Sequence, residues 1–266
     1  MGSLSWIKQW KPIRAVREER CRRHFDSNSG YGAHWGVFGS FAEATASTPS
    51  VVGFNRRETA FDFDDRLDRV FPYDYPVLFW LDRIFTSANA LLLFDIGGGV
   101  GVHYYAYRKY LEYPARLVWK VCEVAQVLDV GRARAEQSKA SALRFTSSIE
   151  ELRASAVDVV LSAGALHYIE RPSLWEVVEH AESRPRHILL NKLPLHDGNE
   201  FVSLQNIGSG FSPLHVWNRG RFVERFERLG YEAIDVWSVP ERTFQLFDDT
   251  VKSFSFSGIY LRLRVA

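Results

Sequence analysis

The segment Leu91-Leu92-Leu93-Phe94-Asp95-Ile96-Gly97-Gly98-Gly99-Val100-Gly101 constrains the fold of this chain more than any other stretch. An apolar run that ends on a carboxylate and passes at once into glycines reads as a buried strand followed by a tight loop. Glycine has no Cβ, so such a loop takes positive φ angles and lets a ligand approach the main chain. The stretch Val102 to Leu111 reads as a helix, whose unpaired N-terminal N–H groups would face the same ligand. A dinucleotide loop wants glycine at the sixth position of G-x-G-x-x-G. Counting from Gly97 that position holds Val102, which disfavours a nicotinamide-dependent oxidoreductase.

Strand and helix patterns alternate downstream. Arg116 to Glu123 reads as a second strand ending in a carboxylate, at about the 20-residue spacing from which an acidic side chain reaches ribose hydroxyls. A helix pattern over Ala125 to Ser138 and a short strand at Ala142 to Thr146 follow, then Ser147 and Ser148 before Glu150 and Glu151, a helix-start signal. Val157 to Ala163 is a nearly continuous apolar run, as expected of a strand buried on both faces of a parallel sheet. A fifth strand, His187 to Leu193, precedes a stretch to Trp217 that reads as irregular yet carries Phe201, Leu204, Phe211, Leu214 and Trp217. So many apolar side chains argue against disorder and for a lid or substrate wall. Asn218 reads as the cap of a helix with Phe222, Val223, Phe226 and Leu229 on its buried stripe and Gly230 at its end. Tyr231 to Trp237 and Ile259 to Val265 read as two closing strands.

The pattern Asp95-x-Gly97-x-Gly99-x-Gly101 resembles the first motif of class I S-adenosylmethionine (SAM) dependent methyltransferases, and Leu166-His167-Tyr168-Ile169 resembles their loop after strand four. With Gly36 to Phe41, Leu193-Pro194-Leu195, and Gln205-Asn206 to Trp217-Asn218, the likeness spans roughly residues 30 to 265. It points to a set of bacterial methyltransferases of poorly defined substrates, often encoded near surface-polysaccharide and other specialised biosynthetic genes. The resemblance implies a Rossmann-like α/β sheet of seven strands, the last antiparallel. It divides the chain into residues 1–90, a helical and aromatic extension over the cleft, and residues 91–266, the SAM-binding domain. It places SAM against Gly97, Gly98, Gly99 and Gly101 with Asp95 below, the ribose on Glu123, the adenine near Thr146 and Ser147, and Ser162 and Ala163 beside the cofactor.

Ligands of open α/β sheets bind beyond the carboxyl ends of the strands. His167 and Tyr168 are therefore expected near the methyl donor, Tyr168 and Trp217 as walls of an acceptor pocket. Imidazole is the natural base near neutral pH. His167 is the first choice by position, ahead of His196 and His103. The reaction expected is methyl transfer to a small-molecule or saccharide acceptor, at a hydroxyl oxygen; the competing reading is a non-catalytic partner or scaffold that keeps the fold. The stretch Ser162-Ala163-Gly164-Ala165 lacks the Asn/Asp-Pro-Pro-aromatic motif of base-modifying enzymes, the acidic ligands of metal-dependent O-methyltransferases are missing, and no histidine pair has metal-ligand spacing.

With 266 residues the chain can bury an adequate core unaided, and its two cysteines, Cys21 and Cys122, imply no disulfide framework. Lys plus Arg number 33 against 32 for Asp plus Glu, which gives no nucleic-acid signal. Without a long apolar run or a leader-like apolar segment, the expectation is a cytoplasmic protein. Residues 1–23 alternate Lys and Arg with Trp6, Ile7, Trp10, Ile13 and Val16, a pattern that suits peripheral contact with an anionic membrane. Pro12, Glu18 and Glu19 favour packing on the protein's own domain or on a second copy in a homodimer instead.

Overall fold

The computed structural model describes residues 11–48, 54, 56, 58, 64–246 and 251–264. Residues 1–10, with Trp6, Ile7 and Trp10, lie outside them. The chain opens with α1 (Lys11–Phe25), β1 (His34–Phe38), α2 (Phe41–Ala46) and α3 (Tyr75–Thr86). It continues through β2 (Ala90–Ile96), α4 (Val102–Tyr107), β3 (Arg116–Cys122), α5 (Ala125–Gln137), β4 (Leu143–Thr146), α6 (Glu150–Arg153), β5 (Val159–Ala163) and α7 (Leu174–Glu179). The remainder comprises β6 (His187–Leu193), β7 (Leu195–His196), β8 (Phe201–Asn206), β9 (Phe211–Asn218), α8 (Arg219–Glu227), β10 (Tyr231–Phe244) and β11 (Phe254–Leu263).

Seven strands form one twisted sheet in the order β10-β11-β6-β5-β2-β3-β4. From β6 to β4 neighbours run parallel, while β11 is antiparallel to both β6 and β10. This is the doubly wound Rossmann-like α/β arrangement, with sequence order reversing between β2 and β5. Every residue of β5 is buried, because helices cover both faces of the central strands. One layer of core gathers Val77, Leu78 and Leu81 of α3 against Leu93 and Trp119 of the sheet. The opposite layer gathers Phe94, Ile188 and Leu190 with Phe222 and Phe226 of α8. Asn218 caps α8 through its side-chain oxygen, which accepts from the N–H of Arg221 at 2.9 Å.

The stretch between β6 and α8 departs from the irregular lid expected of it: it is β-structure. β1, β8, β9 and β7 form a second sheet, in which β8 pairs antiparallel with both β1 and β9. Pro213, which disguises β9 as loop, is tolerated because β7 pairs with β9 at Trp217 and Asn218 alone. The pairing of His34 with Gln205 stitches the N-terminal segment into this sheet. Phe25 at the end of α1 packs beneath it with Phe41, Val202, Leu204 and Phe211. The boundary expected at residue 90 thus cuts through both layers, since α3 belongs to the large sheet and β1 to the small one. Among the described residues no helix is long and apolar enough to cross a membrane.

Candidate active site

The carboxyl ends of the parallel strands open into a cavity of about 880 Å³, roofed by the small sheet and by Tyr31, Phe54, Arg66, Phe71 and Tyr73. The glycine loop forms its floor. Gly97, Gly99 and Gly101 take φ angles of 72°, 59° and 95°, a region in which only glycine is relaxed. A Cβ at Gly97 would collide with the methyl of Ala165, and one at Gly98 with the carboxylate of Asp95. Asp95 is fully buried. It accepts from Trp119 Nε1 at 3.1 Å and meets His103 Nδ1 at 3.0 Å, so it props the loop from below. Gly101 faces Leu143 and Tyr105, outside the cavity wall, and serves as the left-handed residue that starts α4.

Glu123 follows β3 and borders the cavity. One carboxylate oxygen accepts the N–H of Gly99 at 3.0 Å and the other that of Val124 at 2.9 Å, which couples the acidic residue to the loop. Burial pushes its pKa up, while those two N–H bonds pull it down. Of the residue pairs expected beside the cofactor, one member of each reaches the cavity. Ser147 and Ala163 line it. Thr146 turns away to donate to Glu151 at 2.6 Å, and it accepts from the Ser148 N–H at 3.0 Å. Neither serine caps α6, whose first turn is anchored by this threonine instead. Ser162 is fully buried and donates to the carbonyl of Ile96 at 3.1 Å, locking β5 to β2.

The other half of the cavity is aromatic and basic. His167 and Tyr168 enter it from the turn after β5, His34 from β1, Lys192 from the end of β6 and Arg242 from β10. His167 is 2% exposed and His34 8%. Burial holds both imidazoles uncharged, with pKa values pushed down to about 3, further depressed by the Arg242 guanidinium. His167 Nδ1 and His34 Nε2 have no hydrogen-bond partner among the described residues. Tyr168 donates to Gln205 of β8 at 2.5 Å, tying the turn to the roof. His103 also lines the cavity, its Nδ1 held by Asp95.

Two expected site residues lie elsewhere. His196 is turned into its own loop, with Nε2 at 2.8 Å from the carbonyl of Asn199 and its ring stacked on Phe254. Trp217 is 4% exposed and packs against His215, Trp175 and Phe222 in the core below the small sheet. In their place stand His34, Lys192 and Arg242. Lys192 has a left-handed backbone, φ 56°, fixed by Asn191, whose side-chain oxygen accepts the Lys192 N–H at 3.0 Å and whose amide donates to the Tyr73 carbonyl at 2.8 Å. Its ammonium lies 5.0 Å from the Tyr73 ring centre, and enclosure in the cavity lowers its pKa to about 8.

No family model matches the sequence, and neither does any curated protein. Solved structures do match. An O-methyltransferase family protein from Burkholderia thailandensis aligns with TM-score 0.50 and 12% identity over 94% of this chain and 70% of its own. OxaC, solved in complex with SAH and oxaline, aligns with the same score and identity over 77% of this chain and 50% of its own. The fold is the Rossmann-like fold of methyltransferases.

Proposed function

We propose that this protein is a SAM-dependent methyltransferase acting on a small-molecule or saccharide acceptor at a hydroxyl oxygen. One observation carries the reading: a glycine loop in left-handed conformation is bonded through the Gly99 N–H to Glu123, and both border a cavity that runs on to His167. The residues fit the cofactor. Gly97 to Gly99 leave main chain uncovered, Glu123 keeps unused lone pairs for ribose hydroxyls, and Ser147 with Ile149 offers a polar and apolar edge for a base. When bound, SAM supplies a methyl group on a sulfonium, open to in-line displacement.

The chain's own contribution is chiefly positioning, which in oriented systems removes about 7–11 kcal/mol of barrier. His167, uncharged at any physiological pH, sits beside a cationic donor without repelling it and accepts a hydrogen bond from the acceptor hydroxyl. A hydroxyl becomes strongly acidic as its oxygen gains a carbon, so even a weakly basic imidazole takes the proton late in the transfer. Such a base adds toward the low end of about 10²- to 10⁴-fold. Tyr168, held by Gln205, walls the acceptor space.

Calorimetric titration with S-adenosylhomocysteine tests the reading. Micromolar binding is expected, abolished in Gly99→Arg and kept in His167→Ala, which loses turnover over an acceptor panel. Absence of binding, or undiminished binding in Gly99→Arg, refutes it.

A further inference from the structure

The acceptor half of the cavity is lined by two cations that have no ion-pair partner among the described residues. Lys192 and Arg242 reach it from different strands, and neither makes a hydrogen bond or ion pair through its side chain with any described residue. Arg242 lines the same cavity as Lys192, Tyr73, His34, His167 and Tyr168, and its charge acts on all five. The largest opposing charge acting on Lys192 is that of Asp74, but its carboxylate makes no ion pair with the ammonium and is turned to the Phe71 N–H at 2.9 Å and the Tyr107 hydroxyl at 3.2 Å. The two buried imidazoles are neutral and return no charge. Two cations lining one cavity repel, and the cost is recovered when an anion enters beside them. The methyl donor carries its own positive sulfonium, so the need for a counter-charge grows when it is bound. Lys192 is also held in a left-handed conformation by Asn191, the sort of constraint that persists where a side chain must be aimed.

Building on the methyltransferase reading, we infer that the acceptor is an anion, and that its oxyanion group, a carboxylate or a phosphate, is bound by the Lys192 ammonium together with the Arg242 guanidinium. The guanidinium offers a planar fork for two oxygens and the ammonium a point charge, a pairing suited to either group. The aromatic faces of Tyr73 and Phe256 wall the rest of that half.

The test uses three ligands that share one ring: glucose, glucuronate and glucose 1-phosphate. Each is titrated into the full chain, first alone and then saturated with S-adenosylhomocysteine. At least one anion is expected to bind about tenfold or more tightly than glucose, and to lose about tenfold in both Lys192→Ala and Arg242→Ala, while Lys192→Arg keeps most of the affinity. Whichever anion prevails identifies the group. S-adenosylhomocysteine affinity and melting temperature, measured on each variant, confirm folding. The inference is overturned if glucose binds as tightly as the anions, if neither anion binds below about 10 mM to protein that does bind S-adenosylhomocysteine, or if both alanine variants keep anion affinity. It is overturned as well if the variants lose S-adenosylhomocysteine instead, since the cations would then serve the cofactor's own carboxylate. Anion binding by a protein that ignores S-adenosylhomocysteine would sustain the anion site and sink the methyltransferase reading.

Discussion

Gly97→Ala separates the two reasons why the loop needs glycine at that position. A residue with a Cβ at φ 72° carries a backbone penalty of about 1–2 kcal/mol. Its methyl would also collide with the Cβ of Ala165, at the turn after β5, and overpacking of that kind costs about 1–3 kcal/mol. The expected total is about 2–5 kcal/mol, well within the stability of an ordinary domain, so the variant folds. At about 2–4 °C per kcal/mol for a chain of this size, the melting temperature falls by about 4–20 °C. Relief comes by pushing the loop or the Ala165 turn into the cavity, and S-adenosylhomocysteine affinity falls by about tenfold or more. Ala165→Gly removes the obstructing methyl. In a double-mutant cycle the pair should recover the steric part and leave the backbone part, a coupling of about 1–3 kcal/mol measured by thermal and urea unfolding. Additive losses in the cycle, or a Gly97→Ala protein indistinguishable from wild type, would refute the packing of the loop against residue 165.

His34 and His167 have native pKa values near 3 against an ordinary 6.5, so the folded state resists protons that the unfolded chain takes up. Their contribution is whole above pH 6.5 and drains away as the pH falls toward 3, with about 2 kcal/mol lost per histidine at pH 5. The two should contribute about 8–16 °C to the fall in melting temperature between pH 7.5 and 5, an amount missing from a His34→Phe, His167→Phe double variant; equal slopes in the two proteins would rule out both buried imidazoles as a source. His196→Ala should keep wild-type S-adenosylhomocysteine affinity and turnover, and a large loss of either would show that its loop rearranges to reach the cavity. Trp217→Ala should lower stability by about 3–5 kcal/mol in urea unfolding with cofactor affinity intact, because the ring fills core between Trp175 and Phe222.

What the sequence disclosed about this fold was whatever is encoded locally. The strand that ends in Asp95, the positive-φ glycines after it and the acidic residue after the next strand are consecutive features of the chain, and all three meet at the cavity floor, two of them in direct hydrogen bond. The continuous apolar runs of β5 and β6 announce central parallel strands, since only burial on both faces removes the polar alternation. The small sheet was harder to see. Phe201 to Asn206 and Phe211 to Asn218 flank a Gly-Ser-Gly turn, a hairpin signal that the irregular-lid reading passed over, and the acceptability of Pro213 in β9 depends on where β7 stops pairing. His34, Lys192 and Arg242 converge only because β1, β6 and β10 all border one space, which no window of sequence contains.

Thr146 and Ser162, expected beside the cofactor, turn away from the cavity for a different reason, which lies in strand geometry. Successive side chains of a strand point to opposite faces. Thr146 with Ser147, and Ser162 with Ala163, are adjacent pairs at strand ends, so the two members of a pair cannot both face one ligand. In each pair the residue turned away makes a structural bond: Thr146 to Glu151 across the start of α6, Ser162 to the Ile96 carbonyl across β5 and β2. A hydroxyl that finds a main-chain or carboxylate partner inside the protein has no need of a ligand to satisfy it, whereas Ser147 makes no such bond to a described residue and, like Ala163, lines the cavity. The same alternation sets Asp95 beneath the loop, where its carboxylate is satisfied by Trp119 and His103, and so leaves Glu123 as the carboxylate that borders the cavity at this end of the sheet.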